Sequence, residues 1–129
     1  MDTDTIKNTL ILIGMPIGLK GFKYTVDAIL LLDKPEWEMP KWTALYYAIG
    51  KLNHVSPSLV EAGIRNALKS TRDRNCDYKA IEKYIGFANC ENSSSLNLLY
   101  TRIKQDECKK IGNDNIIAFK HALMELLSS

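Results

Sequence analysis

The sequence predicts an all-α protein, a compact bundle of six to seven helices containing a helix-turn-helix. Three observations carry that expectation. Apolar residues recur at helical spacing along the chain, with no convincing alternating strand and no Gly-rich phosphate loop. Glycine, proline and small polar residues fall where those periodic stretches begin and end. Residues 53–61, Asn-His-Val-Ser-Pro-Ser-Leu-Val-Glu, read as the turn of a helix-turn-helix leading into a recognition-type helix.

A first helix is expected over residues 3–13, with Ile6, Leu10 and Ile13 on one face and Gly14 and Pro16 ending it. A second, over 19–32, buries Phe22, Val26, Ile29 and Leu30. Pro35 and Pro40 bracket a connector, since proline lacks the donor a continuing helix needs. The third helix spans 41–52 and turns Leu45, Ala48, Ile49 and Leu52 inward.

The fourth helix, 57–71, is the candidate DNA reader. Ser56 can cap it, accepting a hydrogen bond from an orphan N–H of the first turn. Pro57 falls at N1, where its missing N–H costs nothing, and Val55 and Val60 are placed to close a hydrophobic staple. Val60, Ile64, Ala67, Leu68 and Thr71 form a stripe expected to pack on the third helix, while Ser58, Glu61, Ala62, Arg65 and Lys69 lie opposite. Gly63 costs about 1 kcal/mol against alanine in a helix interior, which fits a close approach of two backbones there.

A fifth helix covers 78–85 and ends at Gly86; residues 89–95 form a polar loop in which Ser94 or Ser95 caps a sixth helix to about 107. After Gly112, Asn113 or Asp114 begins a last helix to Leu127. Residues 1–107 are thus expected as the helix-turn-helix domain, and 108–129 as an extra amphipathic helix. Its Ile116, Ile117, Phe119, Leu123, Met124, Leu126 and Leu127 form a wide apolar face. Such a face either completes the core or meets a partner or a second copy.

The 129 residues suit one domain with a real core, and 46% hydrophobic with 25% charged residues is ordinary for a soluble globular protein. A net charge of +2 does not by itself imply nucleic acid, but its distribution is uneven. Three of the four arginines, Arg65, Arg72 and Arg74, lie in or just past the fourth helix. Clustered guanidinium groups suit phosphate and guanine, and cations near a helix C-terminus also suit the macrodipole. Cys76, Cys90 and Cys108 are odd in number and far apart, and the only histidines are His54 and His121, so no zinc set or disulfide framework is expected. Reduced, partly buried thiols in a cytoplasmic protein are expected. The apolar start is short, acidic and unlike a signal peptide, and no run approaches the ~18 apolar residues of a membrane span.

No catalytic set emerges, and no cofactor or metal is expected. Glu36 and Glu38 flank Trp37 in a proline-bounded connector without a base, nucleophile or oxyanion donor nearby. The Ser93-Ser94-Ser95 run reads as loop and cap, His54 as an exposed turn histidine, and Trp37 and Trp42 as core or edge anchors.

Two separated blocks then carry a resemblance. The first is Ile13-Gly14-Met15-Pro16, Leu19-Lys20-Gly21-Phe22-Lys23-Tyr24 and Asp27-Ala28-Ile29; the second runs from Tyr47 and Ile49 through Ser56-Pro57-Ser58, Val60-Glu61, Ile64-Arg65 and Ala67. With Gly86-Phe87 and the polar stretch at 92–95 they cover roughly residues 2–107, in order. The chain resembles the family of C-terminal DNA-binding domains of stage zero sporulation protein A, the response regulator that starts endospore formation.

The resemblance implies a helical domain that binds double-stranded DNA, with the fourth helix in the major groove. Carried over by position, the base-contacting residues fall at Leu59, Glu61, Ala62 and Arg65, where the family has arginine in place of Leu59 and Ala62. An arginine bidentate to guanine is worth about 1–3 kcal/mol of discrimination, so an altered or weakened operator preference is expected. Candidate phosphate contacts are Lys20, Lys23, Lys51, Ser58, Lys69, Arg72 and Arg74, which position a duplex without reading it. The family's full-length protein carries a receiver domain, for which this length has no room, so a regulator without a receiver is expected. Two readings follow: a DNA-binding transcriptional regulator, or a protein-interaction module that kept the fold and uses Leu59, Ala62 and the tail to bind a regulator protein or its own copy.

Overall fold

The computed structural model describes residues 1–39 and 41–128; Pro40, expected to close the connector, and Ser129 lie outside them. Six α-helices and one 3₁₀ turn make up the described residues: α1 (Thr3–Leu12), α2 (Lys20–Leu32), the turn Pro35–Trp37, α3 (Trp42–Asn53), α4 (Pro57–Arg74), α5 (Tyr78–Tyr84) and α6 (Asn92–Ser128). No described segment is a strand. None of the helices is long and apolar enough to cross a membrane among the described residues.

Local chemistry accounts for the helix ends. The Asp2 carboxylate caps α1 by accepting from Asp4 N–H, and Asp77 caps α5 by accepting from Ala80 N–H at 3.1 Å. Asn75 ends α4 in the left-handed region at φ 46°, which asparagine tolerates better than most residues.

The core gathers around α2, which packs against α1, α3, α4 and α6. Ile6, Leu10 and Ile13 enter it, with Phe22, Val26 and Ile29 from α2, Leu45 and Ile49 from α3, and Leu96, Leu99 and Ile103 from α6. Three expected core residues differ. Leu52 is exposed and Leu30 and Ala48 are half-buried, because the faces of α3 and α2 presented to neighbours are narrower than the apolar stripes suggested. The three cysteines are all free and exposed, not partly buried.

Asp33, at the C-terminal end of α2, is a polar knot. It accepts from Tyr100 Oη, from Lys104 Nζ and from the N-terminal ammonium, each at 3.0 Å. Tyr84 and Lys83 likewise donate to Asp106, tying α5 to α6. Both knots fasten the proximal half of α6 to the domain.

The last two expected helices are one. α6 runs unbroken from Asn92 to Ser128 through Gly112, starting earlier than a Ser94 or Ser95 cap would place it. Ser95 is instead buried, with its hydroxyl turned to Arg72. Every described residue from Cys108 onward is exposed, so within one chain the tail does not complete the core.

Candidate nucleic-acid interface

Residues 54–56 form a tight turn between α3 and α4. His54 is left-handed (φ 58°, ψ 41°), and its N–H and that of Val55 both donate to Gly50 O, the latter at 3.0 Å. The turn folds so closely over α3 that a Cβ on Gly50 would lie 2.6 Å from Val55 O, so only glycine fits. Ser56 Oγ accepts from Leu59 N–H at 3.3 Å and Pro57 occupies the first turn, as the sequence indicates. Val55 packs against the core that includes Val60.

Asn53 fastens this turn to α2. Its Nδ2 donates to Asp27 Oδ2 and to Ile49 O, each at 2.9 Å, while Lys23 Nζ donates to its Oδ1. Lys23 is thereby partly committed to positioning the turn.

The expected inner stripe of α4 is buried in full: Val60, Ile64, Ala67, Leu68 and Thr71. Its packing partner is α2 as well as α3. The close approach at Gly63 is made by α2, not by α3 as expected. A Cβ on Gly21 would lie 2.0 Å from Gly63 O, and one on Gly63 would lie 2.9 Å from Tyr24 Cδ2. The backbones therefore touch, and α4 is held against α2 at a set depth.

Leu59, Glu61, Ala62 and Arg65 are all exposed, but they fan out around α4 and do not share one line of sight. At about 100° per residue, Ala62, Asp73 and Lys69 project most directly away from the buried stripe, with Ser58 and Arg65 to one side. Leu59 lies to the other side, and Glu61 at the margin facing α6. The same geometry brings out Asn66, exposed and nearer the middle of the face than Glu61. Sequence reasoning passed over Asn66 because it sorted α4 into two stripes and left the residues between them unassigned. Asparagine matches the adenine N6/N7 edge in the major groove.

Arg65 Nη2 lies 3.6 Å from Glu61 Oε1, with the side chains 61% and 51% exposed. A pair this open is worth at most about 1 kcal/mol, so a duplex can recruit the guanidinium at little cost. Beside it, Trp42, Tyr46, Glu61, Arg65, Asn92 and Ser93 line an open groove of about 610 Å³. Burial raises the pKa of Tyr46, outweighing the lowering effect of its hydrogen bond with Asn92. Asn92 Nδ2 also donates to Glu61 O at 3.0 Å, pinning the start of α6 to α4.

Lys20, Lys51, Ser58, Lys69 and Arg74 are exposed. Lys69 pairs with Asp73 at 2.9 Å, Lys51 Nζ lies 5.5 Å from the Tyr47 ring centroid, and Arg74 reaches Gly14 O at 3.4 Å. Arg72 departs from its expected phosphate role. Its Nε donates to Gly86 O at 2.8 Å and its Nη2 to Ile85 O and Ser95 Oγ, at 3.0 and 2.7 Å. The α5–α6 connection has carbonyls that no helix satisfies, and this guanidinium satisfies two of them from inside.

No curated protein and no solved structure matches the chain. Residues 6–103, spanning α1 through the docked half of α6, match the family described as sporulation initiation factor Spo0A C terminal, and the chain belongs to this family of DNA-binding effector domains in sporulation control.

Proposed function

We propose that the protein is a transcriptional regulator acting in the cytoplasm, which reads double-stranded DNA by laying α4 in the major groove. One observation carries this reading: α4 is anchored along its inner stripe, at its capped N-terminus and at the Gly21–Gly63 contact, while its opposite face is open. A rigid helix with an unobstructed face is what base readout requires. Arg65 meets a guanine edge, Glu61 and Asn66 supply an acceptor for cytosine and a bidentate pair for adenine, and Leu59 and Ala62 contact thymine methyls. Lys20, Lys51, Ser58, Lys69 and Arg74 contact phosphates. The operator is accordingly richer in A·T pairs than one read by arginines at positions 59 and 62.

Selection of bound duplexes from a random pool tests this, repeated with Arg65→Ala. The wild type enriches a defined motif, and the variant loses about 5- to 150-fold discrimination at one base pair, the equivalent of about 1–3 kcal/mol. With four cations at phosphates, log affinity falls against log salt with a slope of about −3 to −4. An unchanged motif in the variant removes Arg65 as a reader. Absence of any shift with random duplex at low salt favours the protein-interaction reading, for which the exposed Leu59 beside Ala62 is the supporting feature.

A further inference from the structure

Beyond the docked half of α6, the helix continues for about 30 Å into solvent, at 1.5 Å per residue from Cys108 to Ser128. Two features of this arm conflict with its standing alone. Residues 112–115, Gly-Asn-Asp-Asn, are four successive poor helix formers, so propensity does not sustain the helix across them. The arm also exposes large apolar side chains: Ile111, Ile116, Ile117, Phe119, Leu123, Met124 and Leu127 are between 46% and 80% exposed. Ile116, Phe119, Leu123 and Leu127 share one side of the helix, and their exposed area is on the order of 500 Å², as large as the biggest apolar patch a monomer usually shows and of the size that marks an interaction surface.

We infer that two copies of this chain pair through their α6 arms, antiparallel. Ile116, Phe119 and Leu123 repeat at the three-then-four spacing of a helix–helix seam, with Gly112 and Leu127 extending the stripe. Five charged residues on 108–128, three basic and two acidic, leave the arm nearly neutral, so self-pairing meets little repulsion.

Direction follows from size and charge. A parallel pair sets Gly112 against Gly112, leaving a hole, and stacks Lys109 on Lys109. An antiparallel pair with Ile116 facing Phe119 sets Leu123 of each copy over Gly112 of the other, where nothing lies within 4 Å of a Cβ built on the glycine. It also brings Lys109 and Lys110 level with the other copy's Glu125 and helix C-terminus, where cations are favoured. The two domains then stand at opposite ends of a shared rod.

The test uses the whole chain without DNA, so its outcome is independent of the α4 reading. Sedimentation velocity gives twice the chain mass for the wild type at tens of micromolar. Leu123→Glu, whose side chain lies on the solvent-exposed arm, weakens association by about 100-fold or more while leaving the domain's thermal midpoint unchanged. Spin labels on Cys108, with Cys76→Ser and Cys90→Ser, lie about 30 Å apart if the arms are antiparallel and about 10–15 Å if parallel. A monomeric wild type, a dimer that survives Leu123→Glu, or the short distance overturns the inference.

Discussion

Gly21→Ala isolates the contact that sets α4 at its depth. The added Cβ would lie 2.0 Å from Gly63 O and 2.7 Å from Ala67 Cβ. An ordinary contact needs about 3.4 Å, so α2 and α4 must part by roughly 1 Å or more, and neither obstructing atom can rotate away. Overpacking of this kind costs about 1–3 kcal/mol, here at the upper end because backbone blocks backbone. The substitution returns about 1 kcal/mol of helix propensity. The net loss is about 2 kcal/mol, which for a domain of this size lowers the thermal midpoint by roughly 6–10 °C. Circular dichroism melts give that number, and binding to a selected duplex should weaken in parallel because α4 is displaced from α3 and its turn. Gly112→Ala is a contrast within the chain: nothing of the same chain lies within 4 Å of its Cβ, so the domain's core packing is untouched and the midpoint should not fall. A Gly21→Ala protein as stable as the wild type would refute the close α2–α4 packing.

Arg72→Ala should cost about 2–3 kcal/mol by stranding the carbonyls of Ile85 and Gly86, and Arg72→Lys should not restore it, since an ammonium lacks the fork that spans three acceptors. The slope of DNA affinity against salt should stay unchanged in both variants, whereas a phosphate contact would reduce it by about one. Acid should loosen the α6 docking. Burial raises the Asp33 pKa, but hydrogen bonds from Lys104, the N-terminal ammonium and Tyr100 more than offset this and hold it below 3.8. Asp106 is lowered in the same way by Tyr84 and Lys83 against its burial. Groups depressed on folding stabilise fully above their unfolded pKa, so this contribution is lost as pH falls below about 3.8. Melts from pH 6 to pH 2 should show it, with a shallower decline in Asp33→Asn; an identical decline would exclude the Asp33 knot as the cause.

The sequence by itself determined the first five helices, the entry into α4 and the family. These depend on local chemistry: a serine cap, a proline at N1 and apolar spacing act within a few residues, and they read out without knowing what lies across the core. The division of α4 into buried and open faces was legible for the same reason. What only the tertiary structure decided depends on distant partners. The approach at Gly63 belongs to α2, forty-odd residues away in sequence. Arg72, indistinguishable in the sequence from a phosphate-binding arginine, turns inward because the α5–α6 connection presents unsatisfied carbonyls. Gly112 looks like a helix stop, yet α6 runs through it, a continuity that a local penalty of about 1 kcal/mol neither forbids nor announces in the sequence.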